Sequence, residues 1–416
     1  MSASNRKNLI VLFFTMAVST LGFGMVFPVI PYYIQRMGAS GSQLGLLIAS
    51  YGVMQLIFAP WWGSLSDRLG RKPILLVGIL GNGLTLLLFG LSTELWMLFV
   101  ARAGSGLLSS AMGPAAMAYI GDSTSREKRG GGMGVIGAAA GLGMVVGPGL
   151  GGLLATESLS TPFFVGAGLS FVSLLLILLL LPETLPRASR RPAAAAALPT
   201  GKEGSRWTAL RPLGVVLFLA FLVNLGLGGF HGIFGLYALE KFAYGPEQVG
   251  SILMVVGLVS AVTQGLLAGR FTERWGEVPL VRVAFAGSAA GFAVMVLAGP
   301  NLALLMATGF LALGLAMLTP AVTALASKRA TTAQGIAMGW TNAAMSRGRI
   351  VGPAAAGFLF DLGVGLPYFA SAGAMLVGFL VSLVWLARER VKYIGLQAAN
   401  PGRPETEPGP CGSIRG

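Results

Sequence analysis

The sequence predicts an all-α membrane protein of twelve transmembrane helices, arranged as two six-helix bundles related by pseudo-two-fold symmetry. Three observations predict it. Of the 416 residues, 54% are hydrophobic and only 11% are charged, against about 25% charged in soluble domains. Lysines and arginines collect in alternate loops between the apolar runs. Special residues of the first half recur in the second half after 205 or 206 positions.

The apolar runs place spans at 8–35, 44–65, 73–92, 95–120, 131–154, 162–182, 212–238, 248–269, 279–298, 302–326, 333–359 and 366–388. About 20 helical residues cross the hydrocarbon core, and glycine or proline inside a span is tolerated where neighbouring helices cover the backbone. The spans group as an N-terminal bundle (1–182), a Pro-, Arg- and Ala-rich linker (183–211), a C-terminal bundle (212–390) and a Pro- and Gly-rich tail (391–416) that reads as disordered.

The repeat ties the bundles together. Gly63, Asp67, Arg68, Gly70 and Pro73 precede Gly269, Glu273, Arg274, Gly276 and Pro279 by 206 residues. Gly143, Gly147, Pro148 and Gly152 precede Gly348, Gly352, Pro353 and Gly357 by 205, as Gln43 precedes Gln248. Two parallel six-helix halves around a central cavity follow.

The net charge of +14 raises the possibility of nucleic acid, but the placement of the cations points to membrane topology. They lie before the first span (Arg6, Lys7) and after even-numbered spans, at Arg68, Arg71 and Lys72, at Arg126, Lys128 and Arg129, through 187–211, at Arg274 and Arg282, and at Lys328 and Arg329. Loops after odd-numbered spans hold little beyond Arg36 and Lys241. Positive-inside sorting then puts both termini in the cytoplasm. The only cysteine, Cys411, excludes an internal disulfide and a thiolate metal cluster. The first apolar run is too long for a cleavable signal peptide. No nucleotide loop, metal cluster or catalytic triad is present, so no enzyme, cofactor or metal site is expected.

The loop Gly63-Ser64-Leu65-Ser66-Asp67-Arg68-Leu69-Gly70-Arg71-Lys72-Pro73 packs four charges and two glycines between membrane-length runs. Gly63 allows close helix approach, Gly70 a permissive turn, and Pro73 the first turn of the next helix. This loop resembles the signature between helices 2 and 3 of the major facilitator superfamily. The resemblance implies a gating role, with Asp67 latching the cytoplasmic side at the N-terminus of helix 11.

Span 5 carries Gly143, Gly147, Pro148, Gly151 and Gly152. Small residues at this spacing let helix backbones touch, and Pro148 bends the helix. The run resembles the motif of the drug:proton antiporter branch, whose implied role is to seal against leak. Arg102 lies about 10 Å inside span 4, where a lone cation is costly. The same branch carries an arginine there, implicated in proton coupling. Residues 44–155 look like bacterial tetracycline and multidrug exporters, through Ala59-Pro60-Trp61, Leu95-Trp96-Met97 and Ile120-Gly121-Asp122. Where tetracycline exporters carry acids in helices 1 and 3, Ser19 and Thr85 stand here.

All fifteen acidic residues lie in loops, termini or helix ends. The coupling candidates are Arg102, His231 (the only histidine) and helix-end carboxylates such as Asp122, Glu240 and Asp361, with a carboxylate slightly favoured. Arg347 and Arg349 lie mid-span in span 11 and point about 200° apart, so one of them faces the cavity squarely. The arginines favour a neutral or anionic substrate over a dication. Gln55, Asn224, Gln264 and Asn342 are expected as polar cavity groups, and Phe23, Phe27, Phe230, Phe234 and Trp340 as apolar wall.

The resemblance implies a monomeric proton antiporter in a bacterial inner membrane. It would export a small hydrophobic, drug-like compound by alternating access, with protons and the lipid bilayer as its other partners. Export of an endogenous metabolite, or a non-transporting receptor or scaffold on the same fold, stay open as alternatives.

Overall fold

The structure is a computed structural model that describes residues 3–125, 127–185, 213–329 and 334–398. Twelve helical rods follow the chain. In the first half they are α1 (Ala3–Arg36), α2 (Gly41–Leu69), α3 (Arg71–Leu91), α4 (Leu95–Ser123), α5 (Arg129–Leu154) and α6 (Thr161–Leu180). In the second half they are α7 (Gly214–Phe242), α8 (Pro246–Trp275), α9 (Glu277–Leu297), α10 (Leu302–Lys328), α11 (Gln334–Leu362) and α12 (Leu366–Ala398). Among the described residues, eleven of these are long and apolar enough to cross a membrane. The exception, α11, carries Gln334, Asn342, Arg347 and Arg349. It is packed between α7 and α2, with these four polar side chains left exposed.

Local sequence sets the ends and breaks. Ser40 and Gln43 close a capping box at the start of α2, with bonds of 2.9 and 3.3 Å. In the repeat, Gln248 accepts from the Gly245 amide at 3.0 Å at the start of α8. α2 stops at Gly70 (φ 115°) and α8 at Gly276 (φ 78°), a matched pair of positive-φ glycines. α4 breaks between Ser109 and Met112, because Pro114 has no amide hydrogen for Ser110. α8 swells into a π-turn over Thr263–Leu267.

Several boundaries differ from the sequence expectation. Span 4 is two stacked helices. α12 continues through Ala398, so residues 391–398 are helical where a disordered tail is expected. The remaining tail, 399–416, and linker residues 186–212 lie outside the described residues.

Helices α1–α6 pack together, as do α7–α12, and the halves meet along two principal seams, α2 against α11 and α5 against α8. Backbone touches backbone in both. A Cβ on Gly45 would overlap the Pro353 carbonyl, and one on Gly357 the Gly41 carbonyl. In the matching seam, a Cβ on Gly152 would overlap the Pro246 carbonyl, and one on Gly250 would meet the Pro148 carbonyl at 2.5 Å. These contacts occupy the half of each helix away from the basic loops, hereafter the far half. In the basic half, a Cβ on Gly134, Gly137 or Gly141 of α5 would enter open space, as would one on Gly265 or Gly269 of α8 and on Gly335 or Gly339 of α11. The bundles are zipped in the far half and parted in the basic half.

Candidate functional site

Two polar contacts reinforce the far closure. The Asp361 carboxylate, at the end of α11, accepts from the backbone amides of Gly41 (2.7 Å) and Ser42 (3.0 Å) at the start of α2. It neutralises orphan donors and the positive end of that helix. Tyr32 of α1 donates to the Tyr244 carbonyl at 2.7 Å, again across the halves.

At the basic face, Arg71 organises the signature loop. Its Nε donates to Asp122 at 2.9 Å, and its Nη1 to Asp67 at 2.5 Å and Ser66 at 3.2 Å. Glu183 caps α3, accepting from the amides of Arg71 (2.9 Å) and Lys72 (3.2 Å). Lys72 donates to the Leu178 carbonyl at 2.8 Å. Asp67 therefore bonds Arg71 rather than latching the N-terminus of α11, because the basic ends are parted here. Asp122 is held in the same cluster and does not line the central cavity. Gly63 makes no backbone contact either: a Cβ there would meet only Pro114, at an ordinary 3.7 Å. Arg68 is half-buried beside this cluster.

The α5 glycines work in two directions. Gly143, Gly147 and Gly151 face α1 at Ala17–Leu21, Leu21–Gly24 and Met25, while Gly152 faces α8. Pro148 does both, with its ring against Gly24 and its carbonyl against Gly250. The repeat copies the arrangement: Gly348 and Gly352 of α11 press on α7, and Gly357 on α2.

Between the bundles lies a cavity of about 490 Å³. Both halves line it: Phe23 and Phe27 from α1, Tyr51 and Gln55 from α2, Arg102 from α4, His231 from α7 and Arg349 from α11. No Asp or Glu is among the described residues that line it. Arg102 is 1% exposed. Its guanidinium carbon sits 5.1 Å from the Phe23 ring centre, 5.8 Å from Phe27 and 5.0 Å from Tyr51, so ring faces hold the cation. Its Nε and Nη2 are buried and have no hydrogen-bond partner. Gln55 donates to the Tyr51 hydroxyl at 3.4 Å. His231 Nδ1 donates to the Leu227 carbonyl at 3.0 Å, which leaves Nε2 as the proton-accepting atom. Phe27 and Phe230 pack against its ring at 5.8 and 5.2 Å.

Of the helix 11 pair, Arg349 lines the cavity and bonds Ser346 at 3.1 Å. Arg347, two residues away and exposed, points elsewhere. Other expectations fail for identifiable reasons. Asn224 is buried where α7 meets Gly348 and donates to the Ala220 carbonyl at 3.1 Å. Phe230 and Phe234 are in the C-terminal core with Tyr368. Gln264 lies in the π-turn of α8 and lines a separate recess of about 650 Å³ with Thr319, Gln334 and Met338. Trp340 and Asn342 are exposed on α11, off the cavity lining. The sequence reading missed Tyr51 and the Asn82 cluster, in which Asn82 donates to Ser170 (2.9 Å) and accepts from Ser109 (3.3 Å). Tyr51 lies one turn before Gln55, so the face assigned to Gln55 already contained it.

A bilobed helical fold with a cavity between its bundles, and with both seams zipped at one end and parted at the other, fits the membrane transporter class. The sequence model of the Major Facilitator Superfamily matches residues 12–263 and 216–408, and the chain belongs to that family. It is similar to multidrug resistance protein 2 of Bacillus subtilis (strain 168), with 31% identity over 90% of this chain and 94% of that protein. It is also similar to the quinolone resistance protein NorA of Staphylococcus aureus (strain MSSA476), with 26% identity over 91% of this chain and 96% of that one. In structure it resembles the nucleoside transporter NupG at a TM-score of 0.73 and 15% identity, covering 92% of this chain and 98% of that one. That likeness speaks for the fold alone.

Proposed function

We propose that this chain is a secondary transporter that exports hydrophobic, drug-like compounds in exchange for protons by alternating access. The observation that carries it is the cavity between the bundles, zipped on the far side and parted toward the basic loops. The curated relatives support efflux as the direction, and proton antiport is typical of this branch. The bacterial relatives support a bacterial inner membrane, and positive-inside sorting supports cytoplasmic termini, which makes this conformation inward-facing. The protein acts as a monomer, and its chemistry is transport rather than catalysis. Phe23, Phe27 and Tyr51 offer apolar surface to the substrate, while Gln55 and Arg349 orient it.

The proton is assigned to His231. Imidazole is the one side chain on the described cavity lining whose ordinary pKa lies near neutrality, and Arg102 and Arg349 on the same lining stay protonated. The helix-end carboxylates lie off the cavity: Asp122 is bonded to Arg71, Asp361 to the start of α2, and Glu240 is exposed near the end of α7, outside the cavity lining. The signature loop and the α5 glycines act as the moving gate and the seal.

Expression in an efflux-deficient strain, screened against a broad panel of toxic compounds with and without a proton uncoupler, tests the reading. Uncoupler-sensitive resistance supports it. Uncoupler-insensitive resistance rejects antiport, and no resistance to any compound rejects drug export. Reporter fusions after Lys72, Lys128 and Lys202 should all report cytoplasm. A periplasmic signal at Lys202 would reject the two-half topology.

A further inference from the structure

We infer that the exported compound is an aromatic acid, carried as its anion. The Arg102 guanidinium is to take the carboxylate, and Arg349 supplies a second positive charge. This deepens the export reading and rests on it, without depending on which group carries the proton.

The argument starts from an unbalanced site. Arg102 is almost wholly buried and stays charged, yet the described lining of its cavity contains no carboxylate to balance it. Ring faces stabilise the cation but accept no directed hydrogen bonds of the strength an oxygen accepts. The two unpartnered atoms, Nε and Nη2, are adjacent donors on one edge of the guanidinium. That edge is the fork whose parallel N–H bonds match the two oxygens of a carboxylate.

Phe23 and Tyr51 pack their rings on the guanidinium in this conformation. An entering acid would displace one ring face from the cation and stack its own ring on the other. Phe23 and Phe27 already sit edge to face at 5.1 Å, which suits a flat aromatic guest. Arg349 comes from the opposite bundle and lines the same cavity, so an anion held there is shared between the halves. A lipophilic cation would meet two positive side chains and no described acid. The energetics agree in sign: export of an anion moves negative charge outward, the direction an inside-negative potential drives.

The test uses three probes of similar size: radiolabelled 1-naphthaleneacetate, its neutral amide, and tetraphenylphosphonium. Binding is measured in detergent and export in proteoliposomes of the full chain. The acid should bind at least about tenfold tighter than the amide, with the cation weakest. Arg102→Gln and Arg349→Gln should each weaken acid binding about tenfold and amide binding by a clearly smaller factor, so that the preference for acid over amide collapses. Arg349 is exposed, so its variant keeps the test decisive if Arg102→Gln misfolds. Equal binding of acid and amide, tighter binding of the cation, or acid binding indifferent to both arginines would overturn the anion site. If the acid binds as predicted but no probe is exported, the site stands and the export reading fails. If amide and acid are exported equally well, export stands and the anion assignment fails.

Discussion

The far and basic halves of the seam helices are built from similar residues and are in opposite states. In the far half, glycines at 41, 45, 152, 250 and 357 bring backbone onto backbone across the bundles. In the basic half, glycines at 134, 137, 141, 265, 269, 335 and 339 face open space. Glycine in a helix costs about 1 kcal/mol relative to alanine, so a row of glycines that touch nothing is unexplained by this conformation alone. It is explained if the basic half zips when the far half opens. The polar latches differ in the same way. Asp361 is engaged across the seam at the far end, whereas Asp67 at the basic end is bonded within its own bundle to Arg71.

The largest effect should come from blocking the closed half. Gly45→Leu would force a side chain into the Pro353 carbonyl, and overpacking of this kind costs about 1–3 kcal/mol. Transport should fall more than about tenfold, and labels at the far ends should become accessible from the far side. Wild-type transport in this variant would mean that the far seam need not close.

Asp67→Asn should express near wild type, because Asp122 still holds Arg71, and should lose most transport. The missing carboxylate is the one expected at the N-terminus of α11 when the basic half shuts. Undiminished resistance would reduce the signature loop to a topological marker.

Gly339→Leu probes the open half. A Cβ there meets nothing within 4 Å, so the melting temperature in detergent should not change beyond the effect of about 0.5 kcal/mol typical of surface changes. Transport should still drop several-fold. If both are unchanged, the open-half glycines are not waiting for a partner.

Asp361→Ala should have the smallest effect. Asp361 is exposed, so losing its two bonds to the α2 amides weakens the far closure by at most about 1 kcal/mol. Far-side accessibility should rise, while transport changes about two- to threefold.

Much of this comparison was legible in the sequence. The 205-residue repeat located Gly152 against Gly357 and Pro148 against Pro353, and regular spacing survives folding. Arg102, Gln55, His231 and one of the Arg347/Arg349 pair could be placed on the cavity lining, because a polar group in an apolar span has few places to go; Phe23 and Phe27 line it too. The misses share a cause. Asn224, Phe230 and Phe234 lie on α7, a helix surrounded by protein, where burial does not distinguish core from cavity. Gln264 was displaced by a π-turn that no pattern announces. Glu183 looked like linker, yet it caps α3 from the distant end of α6, a contact set by tertiary structure.

The central claim is that the two halves exchange states. It is tested most directly by electron–electron resonance between paired spin labels in a Cys411→Ser background. One pair, at Leu69 and Gln334, spans the basic ends, and the other, at Ser42 and Leu362, spans the far ends. Across substrate and pH conditions, the basic distance should shorten as the far distance lengthens, in matching proportions. Distances that move together, or a far pair that stays closed while the protein transports, would contradict the account.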